Sequence, residues 1–176
     1  MSKIIKNKIG ILGGTFDPAH IGHLKISKEA KKRFDLKKII WAITKKNPFK
    51  NKSSLSLKER ISFAKKLTCK NKFIKVDYFE DKIKSNKTIK LINFIKKKKK
   101  NIEIYFIMGA DNLINFHKWV GWKEILSNCN ILVFDRKNYK AKSLKSIAYK
   151  KYNKKRLKYI TFKKVNISSS KLRKIW

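Results

Sequence analysis

Cysteine is nearly absent: Cys69 and Cys129 are the only two in 176 residues, too few for a disulfide framework or a cysteine-rich metal site. Both are expected as buried thiols. Two prolines and six glycines exclude collagen-like and low-complexity classes. No apolar run approaches the roughly 20 residues of a membrane span. The opening Met-Ser-Lys-Ile-Ile-Lys-Asn-Lys lacks the apolar core of a secretory signal, so a cytoplasmic protein with no membrane partner is expected. Acidic residues are also scarce, 11 against 48 lysines and arginines, for a net charge of +37. What remains, 42% hydrophobic and 12% aromatic residues, is enough for one core, and a single domain over residues 1–176 is expected.

A field of that sign attracts any polyanion. All but five of the cations are lysine, however, and they are spread over nearly every segment instead of one stripe. Lys, Asn, Ile and Phe share A/T-rich codons, so nucleotide bias accounts for the excess. The run Lys96–Lys100 closes an amphipathic segment, where lysines complement a helix C-terminus, and reads as a solvated helix end.

Strand and helix patterns alternate along the chain. Ile9–Leu12 is a short apolar run entering a glycine turn at Gly13-Gly14-Thr15, and Ile21–Phe34 carries Leu24, Ile26, Ala30 and Phe34 at helical spacing. Residues 38–44 read as a second strand. Ser56-Leu57-Lys58-Glu59 has capping-box spacing before a helix to about Leu67. Residues 73–78 read as a strand, 88–98 as a helix, and 102–108 and 131–134 as central strands covered on both faces. Such alternation implies βαβ units and an α/β, doubly wound parallel sheet.

The segment from Gly13 to His23, Gly-Gly-Thr-Phe-Asp-Pro-Ala-His-Ile-Gly-His, is the most informative. A glycine turn leaves the first strand and opens a helix whose N-terminal N–H groups meet anions. Paired glycines let backbone approach a phosphate. His20 and His23, three apart with Gly22 between them, share a helix face. A lone histidine is usually structural and a lone Gly-Gly usually a turn; the combination at a strand's carboxyl end points to nucleotide chemistry.

This segment resembles the G-G-T-F-D-P-x-H-x-G-H signature of the adenylyl- and cytidylyl-transferring nucleotidyltransferases, in particular the nicotinate-nucleotide adenylyltransferase family. Ile167–Arg173, Ile-Ser-Ser-Ser-Lys-Leu-Arg, resembles that family's second signature, I-S-S-T-x-I-R. Residues 41–44 followed by Asn47-Pro48-Phe49-Lys50 are similar to the strand and loop whose lysine meets the mononucleotide phosphate. Residues 106–113 resemble a strand-to-loop G-x-D motif at the adenosine ribose, through Gly109 and Asp111. Phe116-His117-Lys118-Trp119 resembles a loop whose tryptophan stacks on the pyridine, Thr88 matches a threonine beside the nicotinate carboxylate, and Asp135-Arg136 matches an arginine after a late strand. Without that context Lys50 is one lysine among many, Trp119 and Trp122 read equally as core or lid aromatics, His117 as structural and Trp41 as core. The chain departs from the pattern at Phe49, Val120 and Ser170, and ends three residues after Arg173 where family members continue.

The resemblance implies a Rossmann-like nucleotidyltransferase that joins ATP and nicotinate mononucleotide, releasing pyrophosphate, with magnesium carried by ATP. His20, His23, Lys50 and Arg173 are implied as catalytic. Gly13, Gly14, Thr15, Phe16, His20, Gly22, His23, Gly109, Asp111, Arg136, Ser168, Ser169 and Arg173 are implied at ATP, and Thr15, Lys50, Thr88 and Trp119 at the mononucleotide. Asp17 is not assigned as a metal ligand, and oligomeric state is left open. The nearer alternative is a phosphopantetheine adenylyltransferase, which usually has Thr where His20 stands. The farther one is a basic nucleic-acid-binding protein, which would interleave aromatic and basic residues on one surface.

Overall fold

Residues 7–46, 53–153, 155–162 and 172 are described by a computed structural model. Six strands form one parallel sheet: β1 (Asn7–Gly14), β2 (Lys38–Ile43), β3 (Ile74–Tyr78), β4 (Ile102–Gly109), β5 (Asn130–Phe134) and β6 (Leu157–Ile160), ordered β3-β2-β1-β4-β5-β6. The order reverses between β1 and β4. That switch point opens a crevice at the strands' carboxyl ends, where ligands of open α/β sheets bind.

The strands read as continuous apolar runs because both faces are covered, and their period of two divides the core. Ile9, Ile11, Ile40, Ala42, Ile104, Phe106, Met108, Ile131 and Val133 face one side. There they meet α4 (Thr88–Lys98), α6 (Trp122–Asn128) and α8 (Ile147–Tyr152). Leu12, Ile39, Trp41, Ile43, Tyr105, Ile107, Leu132 and Phe134 face the other, against α1 (Ile21–Phe34) and α2 (Leu57–Thr68). Shorter helices, α3 (Glu80–Ile83), α5 (Ala110–Ile114) and α7 (Lys140–Leu144), and a 3₁₀ turn (Phe116–Lys118) fill the connections.

The helices of residues 21–34 and 88–98 begin and end where the periodicity puts them. Four features depart from expectation. The glycine turn is not a turn: Gly13 and Gly14 are the last residues of β1, in register with Ala42 and Ile43. Cys69 is exposed at the end of α2, because it follows the buried stripe of that helix; Cys129 alone is the buried thiol, its pKa pushed up to about 12 by burial. Residues 140–152 and the four-residue β6 gave no readable pattern, since lysines interrupt every apolar repeat there. At the Lys96–Lys100 run, Lys97–Lys100 are exposed, whereas Lys96 Nζ is half-buried and donates to Asn128 Oδ1 at 2.9 Å. Among the described residues no helix is long and apolar enough to cross a membrane.

Candidate active site

The carboxyl end of β1 is tight for a packing reason. A Cβ on Gly13 would meet Phe106 of β4 at 3.2 Å, so the missing side chain lets β1 and β4 close at the switch point; Gly14 has ordinary room, its nearest neighbour being Phe16 at 3.6 Å. Phe16 follows with φ +48°, a left-handed conformation that costs a bulky residue roughly 1–3 kcal/mol. Its side chain holds it there: at 2% exposure it stacks on Trp41 (4.9 Å between centroids) and tilts on His23 (4.7 Å). The Phe16 ring is therefore core. Asp17 is also buried, and its two carboxylate oxygens accept the Ser54 and Leu55 N–H groups at 2.8 and 2.9 Å.

His20 is not on the helix face; it is the N-cap of α1, in extended backbone. Its Nδ1 accepts the Gly22 N–H at 3.1 Å, and His23 Nδ1 accepts the His20 N–H at 3.2 Å, a capping box written in imidazoles. The two rings lie 3.9 Å apart. In a neutral imidazole whose Nδ1 accepts, the proton sits on Nε2, so each ring presents an Nε2–H donor. Burial, reinforced by the Arg136 charge, lowers the His20 pKa to about 4, which keeps that ring neutral. No acidic residue occupies the first turn of α1, so the positive helix end is not offset there. Ser27, fully buried one turn on, donates from Oγ to the His23 carbonyl (2.9 Å) and accepts the Trp41 indole N–H (2.8 Å).

Across the switch point, Asp111 follows β4 and Arg136 follows β5, paired through Nη1 and Oδ2 at 2.7 Å. The Arg136 charge reaches His20 and disfavours its protonation. A Cβ on Gly109 would stand 2.6 Å from Asp111 Oδ1, so glycine is required for the carboxylate to sit where it does.

A small cleft opens beside β1 and β2, walled by Gly13, Thr44, Phe79, Glu80, Thr88 and Phe106 among others. The start of α4 carries no side-chain cap and no acidic residue in its first turn. Trp119 is not on the wall; it meets Phe106, which is, edge-on at 6.0 Å. Lys50, Ser168, Ser169 and Arg173 lie outside the described residues.

Sequence reading missed Arg60. It is 2% exposed, and its guanidinium donates to the carbonyls of Thr15, Thr44, Lys45 and Leu55. The available signal was its position: with Ala64 and Thr68 it forms the buried i, i+4, i+8 stripe of α2.

A cytidylyltransferase-like family model matches residues 11–175. A probable nicotinate-nucleotide adenylyltransferase of Pelagibacter ubique (strain HTCC1062) is 70% identical over 170 residues, covering 97% of this chain and 94% of that protein. One from Rhizobium meliloti (strain 1021) is 36% identical over 129 residues, covering 73% and 68%. In fold, the chain is similar to Plasmodium falciparum nicotinic acid mononucleotide adenylyltransferase complexed with NaAD. The TM-score is 0.75 at 19% identity, covering 96% of this chain and 83% of that one. A histidine pair at the head of α1, a six-strand sheet that switches beside it and these relatives agree: the chain is a nucleotidyltransferase and belongs to the nicotinate-nucleotide adenylyltransferase family.

Proposed function

We propose that this chain transfers the adenylyl group of ATP to nicotinate mononucleotide, giving nicotinate adenine dinucleotide and pyrophosphate, a step of NAD biosynthesis. The observation that carries it is the imidazole capping box at the positive end of α1: both Nδ1 atoms accept backbone N–H groups, so the proton of each neutral ring is on Nε2, the tautomer that a phosphate-binding donor needs. A phosphate oxygen of the mononucleotide attacks the α-phosphorus in line. That P–O bond forms as the bond to the β-phosphate oxygen breaks, and the electron pair leaves with pyrophosphate. The nucleophile is already an anion, so no general base is required, and a neutral His20 is the right form for a donor. Catalysis is alignment and stabilisation of developing charge.

In this reading His20 and His23 donate to the ATP phosphates, Gly109 and Asp111 hold the ribose, and Arg136 fixes Asp111. Lys50 meets the mononucleotide phosphate; Ser168, Ser169 and Arg173 take the leaving pyrophosphate. Thr88, the backbone N–H groups at the start of α4 and Trp119 receive the pyridine end. Magnesium enters with the substrate, carried on the phosphates of ATP.

The test is pyrophosphate release with ATP, magnesium and three acceptors: nicotinate mononucleotide, nicotinamide mononucleotide and phosphopantetheine. Hydrogen bonds to a charged acceptor contribute roughly 1.5–3 kcal/mol against about 1 for neutral ones, so one or two such contacts should favour the acid over the amide by about ten- to a few hundred-fold in kcat/KM. Equal use of acid and amide, or release with phosphopantetheine alone, refutes the assignment.

A further inference from the structure

Arg60 lies on α2, outside the ATP and mononucleotide positions assigned above, yet its bonds converge on both. Nη1 donates to the carbonyls of Thr15, just beyond β1, and Thr44, just beyond β2, each at 2.7 Å. Nη2 donates to Lys45 O at 3.1 Å and Nε to Leu55 O at 3.2 Å. Four of the five guanidinium N–H bonds thus have backbone acceptors on three separate segments. The network continues from its far ends. The Leu55 and Ser54 N–H groups are taken by Asp17, two residues after Thr15, and the Lys45 N–H donates to Glu80 Oε1 at 3.2 Å. The Lys45 peptide is therefore gripped on both sides, by Arg60 at its carbonyl and by Glu80 at its N–H. Asp17 and Glu80 also supply negative potential to the buried cation.

The acceptors are informative in themselves. Thr15 belongs to the phosphate-binding signature, and Thr44 lines the cleft. One rigid planar cation spans the β1 exit, on the ATP side, and the β2 exit, on the mononucleotide side. We infer that Arg60 is a positioning residue for adenylyl transfer, setting the distance and angle between the two bound substrates without touching either. The inference rests on the adenylyl-transfer reading. In-line attack is sensitive to alignment, and misplacement by about 1 Å can cost about 10²-fold in rate. Lysine keeps the charge but has three tetrahedral donors, which cannot satisfy four carbonyls.

The experiment compares wild type, Arg60→Lys and Lys65→Gln, an exposed change on the same helix, by thermal melting, amide hydrogen exchange over residues 43–46 and 53–56 and steady-state pyrophosphate release. Arg60→Lys should melt within about 5 °C of wild type and exchange faster over those two stretches. Its kcat should fall about 30-fold or more, while KM for ATP and for nicotinate mononucleotide each change less than about threefold. Lys65→Gln should match wild type. A folded Arg60→Lys variant with wild-type kcat overturns the inference, as does a loss that merely follows the fraction folded. Should Arg60→Lys fail to fold, Asp17→Asn, which keeps one carbonyl oxygen for the Ser54–Leu55 amides, must show the same kcat-over-KM split, and its absence overturns the inference. A wild-type protein that releases no pyrophosphate with nicotinate mononucleotide refutes the functional reading first, an outcome distinct from an active wild type with an equally active Arg60→Lys.

Discussion

Helices α1 and α2 solve the same backbone problem with different residues. At the head of α2, Ser56 Oγ accepts the Glu59 N–H at 3.2 Å and Glu59 Oε2 accepts the Ser56 N–H at 2.8 Å. At the head of α1, His20 and His23 make the reciprocal bonds through Nδ1. Serine and glutamate are what stability alone selects, and the Glu59 carboxylate also offsets the helix's positive end. Histidine is a costlier cap, bulky and needing burial, but it keeps a second nitrogen pointing away from the backbone. The α1 box leaves the helix end positive and adds two donors to it. One device serves folding; in the proposed reading the other uses the same geometry to orient a phosphate site.

The largest effect should come from removing those donors. His20→Ala and His23→Ala should each lower kcat by about 10²-fold or more, the range for a preorganised donor to developing charge. His20→Ser sharpens the contrast, because serine restores a good N-cap. It should melt like wild type and remain as inactive as His20→Ala. An active His20→Ser enzyme would show that α1 needs only a cap.

How far the sequence discloses this site can be followed residue by residue. Helices 21–34 and 88–98 were legible because their apolar stripes run unbroken to recognisable ends, and the Ser56–Glu59 box because its spacing has few other meanings. The signature around His20 and His23 disclosed the chemistry but not the geometry: an N-cap and a first-turn residue look alike in a string of letters. Arg60 and Ser27 stayed hidden because their partners are carbonyls and an indole brought in by tertiary contact. Composition held one unused clue. In a chain where nearly every cation is lysine, an arginine marks a place where a planar fork is needed: Arg60 spans carbonyls, and Arg136 grips Asp111. The exposed Arg33, paired with Glu29 one turn away, shows that the clue has exceptions.

The next effect in size tests the other side of the switch point. Gly109→Ala places a Cβ at 2.6 Å from Asp111 Oδ1, so the carboxylate must swing and loosen its bond to Arg136. KM for ATP should rise about tenfold, the effect of roughly 1.4 kcal/mol, with a smaller change for the mononucleotide. A KM for ATP equal to that of wild type would remove Asp111 from the ribose.

At α2 the expected change is in stability alone. Ser56→Ala should cost about 1 kcal/mol, lowering Tm by about 2–4 °C for a chain of this size, with kcat unchanged. A fall in kcat beyond the loss of folded protein would mean that the α2 cap also takes part in alignment through the neighbouring Leu55.

The smallest effect expected is on the pH dependence near neutrality, and it separates the two caps by window. His20 is held near pKa 4, first by burial and then by Arg136, against 6.5 in the unfolded chain. Between those values the unfolded chain binds the extra proton, so the stability contributed by a neutral His20 is complete above pH 6.5 and is lost as pH falls toward 4. Glu59 is shifted the same way but from a lower starting value, its pKa lowered by hydrogen bonds from Ser56, so its contribution is present above the ordinary glutamate value of 4.5 and is lost only below it. Melting curves should show wild type losing Tm from about pH 6.5 downward. His20→Ser should be flat until lower pH, and Ser56→Ala should keep the His20-dependent slope. Because His20 stays neutral from pH 6 to 8, kcat should be insensitive to its titration there, and the His20 Cε1 proton should titrate in NMR near pH 4 in the free enzyme. A midpoint near 6.5 would mean that the ring is solvated and partly charged at neutral pH. In that case Nδ1 could not serve as the cap acceptor in the charged fraction, and the likeness between the two boxes would fail at His20.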